Sequence, residues 1–330
     1  MSPCKLFSNS ATAAIILFSF RQRSAHTSAP ASSLFMILLF RLFSHWPLRA
    51  LHALGAALGW LVWLLSPSYR RQFRANVAQA GVGFETARPA IAEAGRFVAE
   101  LPKLWMRPQT ESCLGNVQVE GQIHAEQAFA QGRGVIFFGP HCGSFELGPQ
   151  ALAELYGPIT AIYRPARQSW LAAIEQATRQ RPQLTVVPAS LSGIRLMHRT
   201  LKANHAVALL TDQVPPEGLG VWAPFFGKPA YTMTLAARLA LQSGAVLLPV
   251  SCERLPRGKG YFLKIWPSVA GLQAQALPPV EGGPRAGPLQ ADILHVVTRI
   301  NQAIEAIVLS QPGQYLWGYA RYKTPRKDAF

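Results

Sequence analysis

Of the eight histidines in this 330-residue chain, only His141 has an acidic residue five positions further on, Glu146. An imidazole whose one ring nitrogen is held by a carboxylate keeps one tautomer, and its other nitrogen is then free to take a proton from a hydroxyl. That is a general base with its orienter. A spacing of five puts the two side chains ~140° apart on a continuous helix and on opposite faces of a strand, so they can meet only across a turn. The segment Gly139-Pro140-His141-Cys142-Gly143-Ser144-Phe145-Glu146-Leu147-Gly148 supplies one, because it breaks an apolar strand, Gly134–Phe138, ahead of a helical stretch. The spacing predicts His141 in the turn and Glu146 in the first helical turn, where free N–H groups and the positive dipole end would face an acyl oxyanion. Cys142 does not read as a nucleophile, since adjacent side chains point in different directions and no second base is placed for it.

Apolar strand-like runs recur after this turn, at Ile159–Ile162, Leu184–Val187, Ala206–Leu210, Ala245–Val250 and Gly260–Ile265, with helical stretches between them. Such alternation predicts an α/β domain, a layered mixed sheet flanked by helices. Ser68–Ala80 and Glu85–Met106 read as helices, and Ala291–Leu309 as an amphipathic helix with Ile293, Val296, Val297, Ile300 and Ile304 on its core face. Leu272–Pro288, rich in Pro and Gly, reads as a surface loop. Arg164, between Tyr163 and Pro165 at a strand end, suits a phosphate or carboxylate clamp. Asp212, one of only three aspartates, follows an apolar strand, where it either caps a turn or completes the polar site. Pro224-Phe225-Phe226-Gly227 has no ionisable group and reads as an apolar wall, for packing or acyl-chain contact. Arg254 and Arg285 read as scattered loop charges, and Arg195 and His198 as solvated helix residues.

The first 65 residues differ from the rest. Residues 1–35 read as an upstream extension, with Met36 a second candidate start, residues 36–67 as a membrane anchor, and residues 68–330 as the catalytic domain. Trp46–Leu65 would span ~30 Å as a helix, enough to cross a bilayer. Trp46, Trp60 and Trp63 suit an interfacial belt, and Arg70, Arg71 and Arg74 form a basic collar. A buried core helix and a helix lying in the interface are the alternatives. With 49% apolar and 15% charged residues the chain is no disordered tail. Its net charge of +16, from 24 Arg and 8 Lys, predicts attraction to something polyanionic: nucleic acid, anionic lipid or an acidic protein. Zinc spacing, a basic zipper and RNA-binding aromatic signatures are missing from the sequence, which argues against nucleic acid. The four cysteines are spaced as ordinary thiols rather than as a disulfide framework, as in a reducing compartment.

At several blocks in order the sequence resembles the late acyltransferases of lipid A biosynthesis, of the lauroyl/myristoyl type, within the His-x4-Asp/Glu glycerolipid acyltransferases. The blocks are His141-Cys142-Gly143-Ser144-Phe145-Glu146, Tyr163-Arg164-Pro165, Asp212-Gln213, Pro224-Phe225-Phe226-Gly227 and Gln314-Tyr315-Leu316-Trp317, the last continuing to Arg321-Tyr322-Lys323. The resemblance covers roughly residues 36–325. It implies an O-acyltransferase at the bacterial inner membrane with its catalytic domain cytoplasmic. The donor would be acyl carrier protein or CoA, and the acceptor a phosphorylated glycolipid, a lipid A precursor. No cofactor is implied, because the thioester already activates the acyl group. His141 and Glu146 would be the catalytic pair, with Arg164, Asp212, Gln213, Phe225 and Arg321 toward substrate. Ser144 and Phe145 stand where the family has Asn and Trp, expected to alter packing beside the base, and Ala320 replaces an arginine, expected to weaken a phosphate contact. Ornithine lipid or a mannoside would be alternative acceptors. A non-enzymatic, membrane-tethered polyanion binder is the rival from another class.

Overall fold

The computed structural model describes residues 31–163, 171, 175, 178–269 and 288–327. Among them the strands are β1 (Val117–Glu120), β2 (Val135–Gly139), β3 (Ile159–Tyr163), β4 (Leu184–Pro188), β5 (Ala206–Leu210), β6 (Gly220–Phe225), β7 (Lys228–Met233), β8 (Val246–Arg254) and β9 (Tyr261–Ile265). Seven make one sheet in the order β1-β9-β8-β2-β5-β3-β4, parallel except where β8 meets β9, and β6 and β7 form an antiparallel hairpin. The expected mixed sheet is therefore present, with each predicted run on a strand.

Central β2 is apolar along its whole length because both of its faces are covered. Ile136 and Phe138 point into one core and Val135 and Phe137 into the other. The first core is closed by helices α8 (Leu191–Lys202), α9 (Leu235–Ser243) and α10 (Pro288–Ser310), the second by α5 (Pro89–Trp105), α6 (Gln122–Phe129) and α7 (Gly148–Tyr156). The stretch read as one helix over Glu85–Met106 is two, α4 (Phe84–Ala87) and α5, since Pro89 restarts the helix at its first position. The N-terminal region holds α1 (Ala31–Ser44), which runs through Met36, then α2 (Leu48–Leu65) and α3 (Pro67–Gln79). Most of Leu272–Pro288 lies outside the described residues.

Helix α2 does not stand apart from the domain. Its face of Leu51, His52, Gly55, Gly59 and Trp63 is buried, largely against α5, with Gly55 and Gly59 set against the backbone around Gly95. A Cβ at Gly95 would lie 1.9 Å from the Gly55 carbonyl oxygen, so the two helices touch backbone to backbone. Gly95→Val is expected to destabilise the fold by ~1–3 kcal/mol through overpacking. Gly115→Ala, where an added Cβ meets nothing within 4 Å, is the matched control, and thermal unfolding of the two variants checks it. The basic collar has defined work at this joint. Arg70 Nη1 donates to the carbonyls of Trp63 and Leu64, both at 2.6 Å, capping the C-terminus of α2, and the Arg74 guanidinium lies 5.6 Å from the Trp63 ring.

Candidate active site

β2 and β5 are parallel neighbours in a register that pairs Gly139 with Leu210. Two residues beyond each strand end stand His141 and Asp212, so equal offsets from paired positions bring them side by side at the carboxyl edge of the sheet. Asp212 Oδ1 lies 2.6 Å from His141 Nδ1, and Asp212 Oδ2 accepts the His141 backbone N–H at 3.0 Å. With Nδ1–H directed at Asp212, the lone pair sits on Nε2. The His141 side chain is 17% exposed while that of Asp212 is 3% exposed, so the imidazole is the member of the pair that a substrate can reach. Burial alone would raise the Asp212 carboxyl, but the His141 ring, its hydrogen bonds and Arg321 behind it hold it below the ordinary carboxylate range. Asp212 thus caps the backbone of the His141 turn with one oxygen and holds the imidazole with the other.

The expected hydrogen bond from His141 to Glu146 is not formed, because Asp212 occupies Nδ1 and Glu146 has other partners. Its Oε1 accepts from Arg179 Nη2 at 2.5 Å and its Oε2 from Trp105 Nε1 at 3.1 Å. The Arg179 guanidinium also packs 4.8 Å from the Trp105 ring and 5.1 Å from the Tyr163 ring. Glu146 is not in a helix either. Residues 145–147 form a turn whose Leu147 N–H donates to Ser144 O, and α7 starts at Gly148. Within the turn the Gly143 N–H is committed to Gln314 O at 3.1 Å and the Ser144 N–H to Cys252 O at 2.6 Å.

These bonds tie the turn to β8 and to the C-terminal segment. Gly143 has φ +59°, and a Cβ there would lie 2.2 Å from the Cys252 carbonyl oxygen, so only glycine fits. The His141 carbonyl accepts the Leu316 N–H at 3.1 Å. The C-terminal block Gln314-Tyr315-Leu316-Trp317 is thus a clamp over the turn. Phe145 lies with its ring edge-on to His141 at 4.8 Å and stacks on Phe97 at 4.2 Å, so it packs beside the base as the Trp-to-Phe difference implied. Ser144 does not face a substrate: it is fully buried and donates to Glu100. Burial pushes the Cys142 thiol well above its ordinary value, which keeps it protonated.

The residues expected toward substrate divide. Gln213 is half-buried beside Asp212, and Arg164 lies outside the described residues. Arg321 is 2% exposed, with Nη1 donating to Tyr231 O at 2.9 Å and Nη2 to Thr232 Oγ1 at 2.6 Å, while its guanidinium covers the Phe225 ring at 4.8 Å. It is a buried strut whose charge helps to keep Asp212 ionised. Phe225 is equally enclosed and packs in the first core.

Residues 18–324 match the family described as bacterial lipid A biosynthesis acyltransferase. The chain belongs to that family. It is 27% identical over 208 residues to the lipid A biosynthesis lauroyltransferase of Escherichia coli, which covers 63% of this chain and 62% of that enzyme. It is 30% identical over 207 residues to the lipid A biosynthesis palmitoleoyltransferase of E. coli, covering 62% and 61%. A phosphatidylinositol mannoside acyltransferase of Mycobacterium tuberculosis is 26% identical over 156 residues, 46% of this chain and 48% of that protein. The matched part of the chain therefore spans about six tenths of the length of the two E. coli enzymes.

Proposed function

We propose that the protein moves a fatty acyl group from a thioester, on acyl carrier protein or CoA, to a hydroxyl of a phosphorylated glycolipid, a lipid A precursor. The His141–Asp212 contact carries the reading, together with family membership. His141 Nε2 takes the proton of the acceptor hydroxyl as its oxygen attacks the thioester carbonyl, and Asp212 stabilises the imidazolium through Nδ1–H. When the C–S bond breaks, the imidazolium returns the proton to the leaving thiolate, so an ester and a free thiol result and the base is regenerated. Glu146 and Glu175 both pair with Arg179, which packs on Trp105 and Tyr163, so this ion cluster braces the turn from outside the His141–Asp212 pair. Arg164 and Gln213 are kept as substrate-side residues on the strength of the sequence blocks alone. The mannoside relative keeps a mannoside acceptor open as a second reading, whereas a polyanion binder without catalysis has no use for a buried His–Asp pair. Mass spectrometry of lipid A from cells with and without the gene tests the function. A lipid A unchanged by deletion, with no acyl transfer by the purified chain, would discard it.

The reaction is assigned to the cytoplasmic face of the bacterial inner membrane, where an acidic carrier and an anionic glycolipid both suit the +16 chain. Support for the membrane comes from α2, which beyond His52 is apolar on every side yet buried on one side only: Leu58, Leu61, Leu64 and Leu65 are exposed, the last two at 67%. Leu38, Leu42 and Trp46, earlier in the chain, are exposed as well. Deleting the whole segment would strip α5 of its partner, so the cleaner test leaves packing intact. Replacing Leu58, Leu61, Leu64 and Leu65 by Gln is expected to move much of the protein from the membrane to the soluble fraction on cell fractionation. Retention of all of it at the membrane would remove these leucines from the contact.

A further inference from the structure

Apart from the His141–Asp212 pair, the most deeply buried acid among the described residues is Glu100. Glu100, on α5 and 0% exposed, receives Arg254 Nε at 2.8 Å and Arg254 Nη2 at 2.6 Å, Ser144 Oγ at 2.7 Å, Tyr261 Oη at 3.3 Å, and lies 3.1 Å from His52 Nε2 on α2. Arg254 Nη2 also donates to the Gly143 carbonyl at 2.9 Å, and Nη1 to Glu93 at 3.3 Å. We propose that Glu100 is a positioning residue for acyl transfer: through Ser144 and Arg254 it fixes residues 143–144 of the His141 turn, and through His52 it ties that turn to α2. The inference rests on the acyl-transfer reading above.

The geometry argues for positioning over simple stability. Apolar side chains of equal volume would fill such a site without the desolvation cost of a buried ion cluster. What the cluster adds is direction. Ser144 and Gly143 are gripped from one side by Glu100 and Arg254, and from the other by the Cys252 and Gln314 carbonyls, two and three residues from the base. His52 brings the same grip to the helix whose outer face carries the exposed leucines. A membrane-seated α2 and the catalytic turn thereby hold one fixed relation.

The test uses the full-length protein in detergent micelles, with acyl carrier protein thioester and a lipid A precursor. Ser144→Ala removes the direct hydrogen bond between Glu100 and the turn and leaves the ion cluster, with its Arg254–Gly143 contact, whole. It is expected to lower kcat on the order of 10-fold to 10²-fold, the cost of misplacing a catalytic group by about 1 Å, with KM for both substrates little changed. Its thermal midpoint should fall by no more than about 4 °C, as for one lost hydrogen bond. Hydrogen exchange should quicken in residues 140–148 and nowhere else. His52→Gln, which keeps a donor for Glu100, should retain more kcat than His52→Leu. Wild-type kcat in Ser144→Ala, or unchanged exchange in residues 140–148, overturns the positioning role, and equal losses in the two His52 variants overturn the tie to α2. A wild-type protein without acyl transfer is a different failure, that of the proposed function, and the exchange measurement still decides whether Glu100 orders the turn.

Discussion

Replacing His141 by Ala is expected to lower kcat by ~10²- to 10⁴-fold, the range for losing a positioned general base, while the thermal midpoint stays close to that of the wild type. The side chain is at the surface edge of the site, and its backbone bonds to Asp212 and Leu316 survive the change, so the fold loses little. Asp212→Asn is expected to cost at least ~10²-fold as well. A neutral amide cannot balance the imidazolium, and it can donate to Nδ1, which would put the ring proton on Nε2 where the base must be free. The pair should act as a unit, so the double variant should lose scarcely more than the worse single one. Steady-state kinetics on purified donor and acceptor decide it: near-normal turnover in either single variant would falsify the dyad.

How much of this was legible in the sequence follows from the range of each signal. The strands were readable because a buried parallel sheet demands unbroken apolar runs, and His141 because a Gly-Pro break after such a run marks a functional turn. The sequence pairs it with Glu146 while the structure bonds it to Asp212, for a physical reason. His141 and Glu146 are close in sequence, whereas Asp212 reaches the base only because β5 lies beside β2 in a register pairing Gly139 with Leu210, and strand order is not written in local pattern. The one available signal was the equal two-residue offset of both side chains from the ends of five-residue apolar strands. Short β1, half-exposed, and the β6–β7 hairpin, with Trp222 and Pro224 outward, lack a run long enough to read. The Trp46–Leu65 segment was readable as apolar but not as half-buried, since Gly55 and Gly59 reveal a close helix contact only once α5 is opposite them.

Arg254 is the clearest case of a charge whose surroundings reverse its sequence reading, and its replacement carries the largest expected stability effect. Read as a loop residue, it should tolerate exchange silently. It is instead 5% exposed at the end of β8, with Nε and Nη2 on Glu100 and Nη1 on Glu93. Arg254→Met fills much of the volume but leaves two buried carboxylates with only His52 and Arg96 as basic partners, so a loss of ~3–5 kcal/mol in unfolding free energy is expected. The pH dependence supplies the sign. In the wild type, burial would raise Glu100, but Arg254 and His52 overcome it and hold the carboxyl below its ordinary value of 4.5. A carboxyl lowered by folding adds stability that is present above 4.5 and is lost as pH falls through the folded-state value. Without Arg254 the burial that remains should lift Glu100 above 4.5, so the variant is penalised at neutral pH and relieved once the acid is protonated. Denaturant unfolding of both proteins should therefore show a gap that narrows between neutral pH and about pH 5. A gap under about 1 kcal/mol would return Arg254 to the surface charges. A gap that widens on acidification would mean that Glu100 is not the acid Arg254 stabilises.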